Sequence, residues 1–327
     1  MYAICIESSR TRGMGHLFRS FQYIDYMEKC GIKYIYLIND DEPSLEILRS
    51  RNIPYILVDF SDHESNWESE IAKEYHITIW INDKFDTHKR MGERLSNISG
   101  MTFCAIDDIG EGAIYADLFF AGMVYPTLKS MPGKKNFGGS EYIILNPELE
   151  QYKRKRENVQ NIIVTLGGSD PFGATVEVVE ELKDVEYQVD IVVGPNFAYM
   201  NELKKITPER FHIFQHVPSL MRMFFSYDLA ITGGGVTCCE ACASGLPCII
   251  IANAPHEVNT GKYIESLQLG IYAGEHGIWD RKILKGIEKI PIADMSQRGM
   301  NCFRVDAIEK IFWEIQNQIG ENEDGIL

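Results

Sequence analysis

Residues 2–19 read YAICIESSRTRGMGHLFR, and this stretch decides the fold class. Its first part, residues 2–6, is an apolar run without polar alternation, which is typical of a strand buried on both faces of a sheet. A turn with Gly13 and Gly15 follows, and Leu17 then begins an apolar pattern with helical spacing. A strand, a glycine turn and a helix in this order open a doubly wound α/β domain, whose ligands bind at the carboxyl ends of the strands.

The same alternation of strand and helix patterns occurs twice along the chain. It runs from residue 2 to about residue 106 and restarts at residue 161. The region Tyr125–Arg156 interrupts it with prolines, glycines and a charged run, a composition typical of linkers. We therefore predict two Rossmann-like doubly wound domains, over residues 1–148 and 158–299, that face each other across a cleft. Apolar spacing over residues 300–319 predicts a last helix that packs back toward the first domain.

Charge and composition argue against several classes of protein. The 327 residues carry a formal net charge of −15, whereas nucleic-acid binding relies on a basic surface. A small anionic ligand is still compatible with this charge, because backbone N–H groups and one or two local cations can hold it. No stretch approaches the ~20 apolar residues of a membrane-spanning helix, and the N-terminus lacks the pattern of a signal peptide. We predict a cytoplasmic protein without an integral membrane segment.

The eight cysteines are compatible with disulfides, a metal site or free thiols. Five of them are isolated in apolar or amphipathic segments, as buried free thiols usually are. Cys238, Cys239 and Cys242 form a closer group that resembles half of a zinc site, but no second pair of ligands follows at the required spacing. Structural thiols in a reducing compartment are therefore favoured, and we predict neither a metal nor a cofactor.

The first glycine turn contains the best candidate for a catalytic side chain. His16 follows Gly15 at the start of the predicted helix, and Arg19 lies one turn later on the same side. This position presents an imidazole to a ligand rather than burying it, which favours catalysis over a structural role. Gly13 and Gly15 would let the backbone approach that ligand closely. The turn is not the dinucleotide fingerprint, because Phe18 replaces its third glycine.

Two further glycine turns follow strands of the second half. Residues 165–171, which include Gly168 and Ser169, are either a ligand loop or an ordinary helix cap. Residues 232–240 carry three consecutive glycines before a helix. We interpret them as a phosphate-binding turn, in which bare N–H groups and the helix dipole face the anion. Glu240 lies about one turn into that helix, where it is either a ribose ligand or an exposed carboxylate.

Two strands of the first half end in acidic residues, at Asn82-Asp83 and at Asp107-Asp108. A metal-dependent sugar transferase would carry an Asp-x-Asp triplet. This sequence has adjacent aspartates instead, and the side chains of neighbouring residues on a strand point to opposite faces of the sheet. Metal dependence is therefore disfavoured, and one of these acids is a candidate to orient a sugar hydroxyl or His16.

Four motifs together are similar to those of a known family. They are Gly13-x-Gly15-His16-x-x-Arg19, FGGSEYIILNPE at residues 137–148, Gly167-Gly168-Ser169-Asp170-Pro171, and Gly233-Gly234-Gly235-x-Thr237-x-x-Glu240-x-x-Ala243-x-Gly245-x-Pro247. In these motifs the chain resembles the UDP-sugar hydrolases of the pseudaminic acid pathway and related spore-coat polysaccharide proteins. They belong to the GT-B superfamily, which includes the glucosaminyl transferase of peptidoglycan synthesis. The resemblance extends from Glu7 to about Ile319.

The resemblance implies a GT-B fold, activation of water by His16 and binding of uridine diphosphate by the motif from Gly234 to Glu240. On the sugar side we assign Gly13, Gly15, Arg19, Asp83, Phe85, Asp108, Gly168 and Ser169. On the nucleotide side we assign Gly234, Gly235, Val236, Thr237, Glu240, His256 and Asn259. The sequence departs from the family at Phe85, where a tyrosine is expected. It also has Asn259-Thr260 in place of an Asn-Gln pair.

We predict that the chain hydrolyses a UDP-2,4-diacetamido-trideoxyhexose at its anomeric carbon, without a metal. The products are UDP and the free sugar, for nonulosonic (pseudaminic) acid or surface polysaccharide biosynthesis. His16 would act as general base on a water, and the glycine turns would stabilise the departing diphosphate. One alternative is a GT-B glycosyltransferase in which His16 deprotonates an acceptor. The other is a non-enzymatic subunit that binds a nucleotide sugar. The sequence does not distinguish a uridine nucleotide from a cytidine nucleotide as the carrier of the sugar.

Overall fold

The computed structural model describes residues 1–9, 14–122, 130–167, 170–194, 197–215, 217 and 219–324, without the side chains of His256 and of residues 319–324. Gly13, Gly168 and Ser169, which we assign to the sugar side, lie outside these ranges. The chain divides into two compact units. Unit 1 comprises Met1–Ile144 and Asp306–Leu327, and unit 2 comprises Leu145–Val305.

Unit 1 is a parallel sheet of seven strands in the order β3-β2-β1-β4-β5-β6-β7. The strands are β1 Tyr2–Ile6, β2 Tyr34–Ile38, β3 Ile56–Leu57, β4 Ile79–Asp83, β5 Thr102–Ile106, β6 Leu118–Ala121 and β7 Lys135–Gly138. The helices before residue 100 are α1 Gly15–Cys30, α2 Glu42–Ser50, α3 Trp67–Glu74 and α4 Lys89–Ser96. The strand order reverses between β1 and β4, which is where doubly wound sheets form their ligand crevice.

Strand β1 shows why both faces of this sheet are covered. Ile4 and Ile6 belong to one core cluster, together with residues of α1, whereas Ala3 and Cys5 belong to a second cluster, together with residues of α3 and α4. Successive side chains of a strand point to opposite faces, so a run of five apolar residues feeds both clusters. The apolar run at the start of the chain is thus the centre of unit 1.

Unit 2 is a parallel sheet of six strands in the order β10-β9-β8-β11-β12-β13. The strands are β8 Asn161–Thr165, β9 Gln188–Val193, β10 His212–Gln215, β11 Leu229–Thr232, β12 Cys248–Ala252 and β13 Gly270–Glu275. The helices are α5 Ala174–Leu182, α6 Met200–Ile206, α7 Leu220–Phe224, α8 Val236–Ala243, α9 Pro255–Ser266 and α10 Ile292–Cys302. Each unit is therefore a doubly wound α/β fold, as the sequence predicts.

The charged run at residues 153–157, which we interpret as part of a linker, contains one of the most buried side chains of unit 2. Arg156 is fully buried, and its guanidinium donates hydrogen bonds to the carbonyl oxygens of Phe224, Tyr227 and Ser244. Its own N–H donates to the hydroxyl of Ser296. A buried cation is stable only when its donors are satisfied, and here backbone carbonyls satisfy them. The run thus anchors several loops of unit 2.

The single helix predicted over residues 300–319 is wrong in its bounds, because α10 ends at Cys302 and a separate helix, α11, spans Ala307–Asp324. Phe303 ends α10 in an extended conformation. Helix α11 belongs to unit 1, and its apolar face enters the same core cluster as Ile4 and α1. In the described part of the chain, no helix is both long enough and apolar enough to span a bilayer.

Replacing Phe312 with alanine should destabilise the protein by about 3–5 kcal/mol, because a large buried ring is lost and a cavity remains. The ring is fully buried and lies 4.6 Å from that of Tyr26 and 5.8 Å from that of Tyr2, centroid to centroid. Trp313 is the matched control: it is 59% exposed, so Trp313→Ala should cost less than about 1 kcal/mol. Urea unfolding followed by circular dichroism measures both. Equal losses would contradict the place of α11 in the core of unit 1.

Candidate functional site

Helix α1 carries three polar side chains toward the carboxyl end of β4. His16, Arg19 and Tyr23 are spaced by three and four residues, so they lie on one face of the helix. All three contact the carboxylate of Asp83, the last residue of β4. Gly15 begins the helix, and among the described residues no atom lies within 4 Å of the place that a Cβ on Gly15 would take. Two of the residues assigned to the sugar side, Arg19 and Asp83, are therefore in contact with the predicted catalytic histidine.

Asp83 is fully buried and both of its carboxylate oxygens are engaged. Nδ1 of His16 lies 2.6 Å from Oδ1, Nε of Arg19 lies 2.9 Å from Oδ2, and the hydroxyl of Tyr23 donates to Oδ2 at 2.8 Å. A second nitrogen of Arg19 also bonds Oδ1. Burial opposes the ionisation of Asp83, but the charges and hydrogen bonds of Arg19 and His16 outweigh it and hold the pKa of Asp83 well below its usual range.

The ionised carboxylate fixes the state of the imidazole. An ionised Asp83 accepts hydrogen bonds and cannot donate one, so the proton between the two groups lies on Nδ1 of His16. With the proton on Nδ1, Nε2 is the ring nitrogen that can accept a proton, and the side chain of His16 is 20% exposed. Within the described ranges no group hydrogen-bonds Nε2, and an imidazole held by a carboxylate through Nδ1 is the arrangement of a general base.

The second acid of this cluster is Asp107, whereas we assign Asp108 to the sugar side. The guanidinium of Arg19 bonds Oδ2 of Asp107, and the N–H of Gly122 donates to Oδ1 at 3.1 Å. Asp108 is fully buried and accepts from the N–H groups of Thr87 and Gly110, at 2.9 and 2.8 Å. Asp108 therefore joins the loops after β4 and β5, and its assignment to the sugar side stays a prediction.

Asp107 is one of the acids that the sequence offers to orient a sugar hydroxyl or His16, although it is not among our sugar-side assignments, and Tyr23 is a member of the cluster that the sequence analysis does not include. Asp107 has a left-handed backbone with φ of 50°, which breaks the alternation of side chains along β5. Tyr23 was detectable, since it lies seven residues after His16 on the same helix face. Phe85 is half-buried beyond the end of β4, and its carbonyl accepts from the N–H of Ile109 at 3.0 Å.

In unit 2 the three-glycine turn joins β11 to α8 and is packed against α9. The N–H of Gly234 donates to Oε2 of Glu257 at 3.2 Å, and the N–H of Asn253 donates to the same oxygen at 2.7 Å. A Cβ on Gly234 would lie 2.3 Å from the carbonyl oxygen of Glu257, so only glycine fits. A Cβ on Gly235 would meet nothing within 4 Å. Close packing against Glu257 therefore explains why residue 234 is a glycine. Among the described residues, the side of the turn that a ligand could approach lies at Gly235.

Helix α8 begins immediately after this turn, with Gly235 at its N-cap and no side chain capping it. Val236 and Thr237 form its first turn, where N–H groups lack partners within the helix. Glu240 is half-buried on the same helix. Burial raises the pKa of its carboxyl from the ordinary 4.5 to about 7. Among the described residues no group hydrogen-bonds or ion-pairs with this carboxyl.

The remaining residues assigned to the nucleotide side lie on α9. Asn259 is exposed there, and the side chain of His256 is outside the described part of the chain. In the turn after β8, Asp170 accepts from the N–H groups of Ala174 and Thr175, at 3.0 and 2.8 Å, and so caps α5. Of the two interpretations of this turn, the helix cap therefore applies to Asp170.

The three clustered cysteines are buried free thiols on α8. The sulfur atoms of Cys238 and Cys239 are 3.8 Å apart, and those of Cys242 and Cys248 are 3.7 Å apart. Burial raises the pKa of the Cys239 thiol. No group of three or more His, Cys, Asp or Glu residues in the described ranges is arranged to hold a metal ion.

No known family model matches the sequence. The spore coat polysaccharide biosynthesis protein SpsG of Bacillus subtilis is 23% identical over 289 residues, which cover 79% of each chain. The uncharacterized protein MJ1062 of Methanocaldococcus jannaschii is 24% identical over 269 residues, which cover 76% of this chain. The aligned part is 55% of the archaeal protein, so the chain spans about half the length of that relative.

Solved structures resemble the chain over nearly its whole length. MurG of Acinetobacter baumannii has a TM-score of 0.69 at 12% identity, covering 97% of this chain and 99% of that one. UDP-GlcNAc 2-epimerase of Neisseria meningitidis, bound to UDP-GlcNAc, has a TM-score of 0.63 at 10% identity and covers 97% and 100%. The MnaA–UDP structure from S. aureus gives 0.64 at 12%, covering 98% and 97%. The chain has the GT-B fold.

The raised pKa of Glu240 predicts a pH-dependent effect of Glu240→Gln on stability. An acid whose pKa is higher in the folded protein than in the unfolded chain disfavours folding as the pH rises from 4.5 toward 7. The variant should be more stable than the wild type by about 1–3 kcal/mol near pH 8, with a difference close to zero near pH 5.

Urea unfolding at both pH values measures the effect of Glu240→Gln. Glu46→Gln, in an exposed position of α2, is the control and should show no such pH dependence. A Glu240→Gln variant that is less stable than the wild type near pH 8 would mean that the ionised carboxylate has a partner in the folded protein.

Proposed function

We propose that the chain transfers the glycosyl group of a nucleotide sugar to an acceptor hydroxyl without a metal, with His16 as general base. The observation that carries this proposal is the His16–Asp83 pair at the carboxyl edge of the sheet of unit 1, with Nδ1 2.6 Å from the carboxylate. The fold adds support, because it is shared with MurG and with an epimerase solved with UDP-GlcNAc. A GT-B fold alone does not determine which reaction the protein catalyses. A general base at His16 favours reactions in which a hydroxyl group or water is deprotonated.

In this mechanism Nε2 of His16 takes the proton of the acceptor hydroxyl as the acceptor oxygen bonds to the anomeric carbon. The bond between that carbon and the diphosphate oxygen breaks, and its electron pair leaves with the nucleotide diphosphate. Asp83 is a positioning residue: it holds the Nδ1 proton and stabilises the imidazolium that forms. Arg19 keeps Asp83 ionised through its charge.

Unit 2 supplies the proposed donor site. The uncapped start of α8 at Gly235, Val236 and Thr237 offers N–H groups and the positive end of the helix dipole to a diphosphate. Glu240 would accept hydrogen bonds from the ribose hydroxyls, which would favour its ionised form. Asn259 and His256 on α9 remain our assignments for the same ligand. Stabilising the leaving diphosphate in this way substitutes for the role of a metal.

A transferase and the hydrolase that the motifs resemble differ only in the acceptor, which is a sugar hydroxyl in one and water in the other. Glycosyltransferases are among the solved structures that share the fold, namely CalG4 with a TM-score of 0.63 and SnogD with 0.54, and this supports the transferase. Similarity to the spore coat polysaccharide protein SpsG is consistent with an acceptor in polysaccharide synthesis. Hydrolysis of a UDP-2,4-diacetamido sugar stays a prediction, and the assay below separates the two reactions.

His16→Asn should lower kcat by about two orders of magnitude or more, with UDP affinity little changed, because the base is lost while the donor site is intact. His212→Asn is the matched control. Nδ1 of His212 also contacts an aspartate, Asp190, at 2.9 Å, but its side chain is 62% exposed on unit 2. Turnover of a UDP-aminosugar panel and calorimetry with UDP measure the two quantities. Full activity in His16→Asn would rule out His16 as the base.

The acceptor and the metal requirement are tested in one assay of the wild-type protein. UDP- and CDP-aminosugars are incubated in H₂¹⁸O with and without sugar acceptors, and with and without EDTA. We expect a glycoside product only with acceptor, and equal rates in EDTA. Free sugar labelled at the anomeric oxygen in the absence of acceptor would identify a hydrolase. Tight nucleotide-sugar binding without any turnover would identify a binding subunit.

A further inference from the structure

A cavity of about 480 Å³ opens at the carboxyl edge of the sheet of unit 1, in the range typical of small-molecule sites. Its floor includes Glu7, which follows β1, and Lys84, which follows β4. These strands are neighbours, with Ile6 opposite Asp83, and the strand order reverses between them. The cavity therefore lies at the topological switch point, where doubly wound sheets bind ligands.

Aromatic rings form one side of this cavity. Phe60 and Trp67 meet edge to face with ring centroids 6.1 Å apart. The ammonium of Lys84 lies 3.6 Å from the centroid of Phe60, and the side chain is only 4% exposed. The rings of His63 and His88 stack at 3.7 Å on the same lining. Aromatic faces combined with a few polar groups are what a sugar ring requires, because it has an apolar C–H face and a rim of hydroxyls.

Each Lys and Arg side chain that lines the cavity already has an acidic partner. Lys84 pairs with Glu7 at 3.5 Å, and Arg94 pairs with the fully buried Glu68 through two bonds of 2.7 and 2.8 Å. Lys89 lies 3.9 Å from the carboxylate four residues later. Five carboxylates line the cavity against these three cations. An anionic ligand would therefore meet an excess of negative charge, which disfavours a phosphate or carboxylate group.

Building on the proposed function, we infer that this cavity binds the acceptor, and that the acceptor is an uncharged or amino-substituted sugar rather than a phosphorylated one. The ring stacks on Trp67 and its hydroxyls bond the Glu7–Lys84 pair, which offers one acceptor and one donor group. Asp83 and Lys84 are consecutive, with Asp83 directed to His16 and Lys84 to the cavity. A sugar held there lies at the strand end that also positions the base.

Ligand-observed NMR tests the inference without any turnover. Saturation-transfer difference spectra are recorded with the whole protein, saturated with UDP, against hexoses, N-acetylhexosamines, hexosamines and the 6-phosphates of each. We expect binding of the uncharged and amino sugars, and at least about tenfold weaker binding of the phosphates. Trp67→Leu should weaken sugar binding by about tenfold or more, because the stacking surface is lost. Trp313→Leu removes an exposed tryptophan outside the cavity and should leave binding unchanged.

A second variant protects the test against misfolding of Trp67→Leu. Glu111→Gln changes an exposed lining residue without touching the core and, by removing one negative charge, should improve binding of the 6-phosphates relative to the parent sugars. Phosphorylated sugars that bind as tightly as their parents, sugar binding unaffected by Trp67→Leu in a folded protein, or no binding by any sugar would each overturn the inference.

The same measurements separate this inference from the proposed function. Sugar binding that depends on Trp67 in a protein without transfer activity would support the cavity assignment and reject the transferase. Transfer to a sugar whose KM is the same in Trp67→Leu would support the transferase and reject the cavity as its acceptor site.

Discussion

The site of unit 1 depends on one buried charge, the carboxylate of Asp83. A fully buried carboxylate is stable only when it is paired and hydrogen-bonded, and three side chains of α1 meet that requirement. Because His16, Arg19 and Tyr23 come from one helix, satisfying Asp83 also fixes the rotation of α1 about its axis. The orientation of the His16 imidazole thus follows from the need of the buried Asp83 carboxylate for hydrogen-bond and charge partners.

In unit 2 the polar groups of the candidate site are left open, whereas those around Asp83 are satisfied within unit 1. Its glycine turn is held by Glu257 from behind, at Gly234, while Gly235 and the start of α8 stay open. Glu240 on this helix is half-buried and lacks a partner among the described residues, which accounts for its raised pKa. Unit 1 is therefore preorganised by contacts within the protein, whereas the open turn of unit 2 is suited to completion by a ligand.

Local patterns were sufficient for the fold and for the face of α1 on which His16 and Arg19 lie together. The apolar run at β1 and its glycine turn predict the doubly wound sheets, and helical spacing alone places Arg19 beside His16. The contact of Arg19 with Asp107 depends on a left-handed backbone at Asp107, and residue spacing carries no signal for that conformation. The burial of Arg156 depends on hydrogen bonds to the carbonyl oxygens of Phe224 and Ser244. These residues are distant in sequence, so spacing within the charged run does not predict that the run packs into unit 2.

The place of α11 has a consequence for synthesis on the ribosome. Phe312 packs against Tyr2, so the core of unit 1 joins nearly the first and nearly the last residues of the chain. At about 5–20 residues per second, the ribosome completes unit 2 while unit 1 still lacks a helix. The half made first is thus finished last, and the apolar face that α11 covers is exposed in the nascent chain until then.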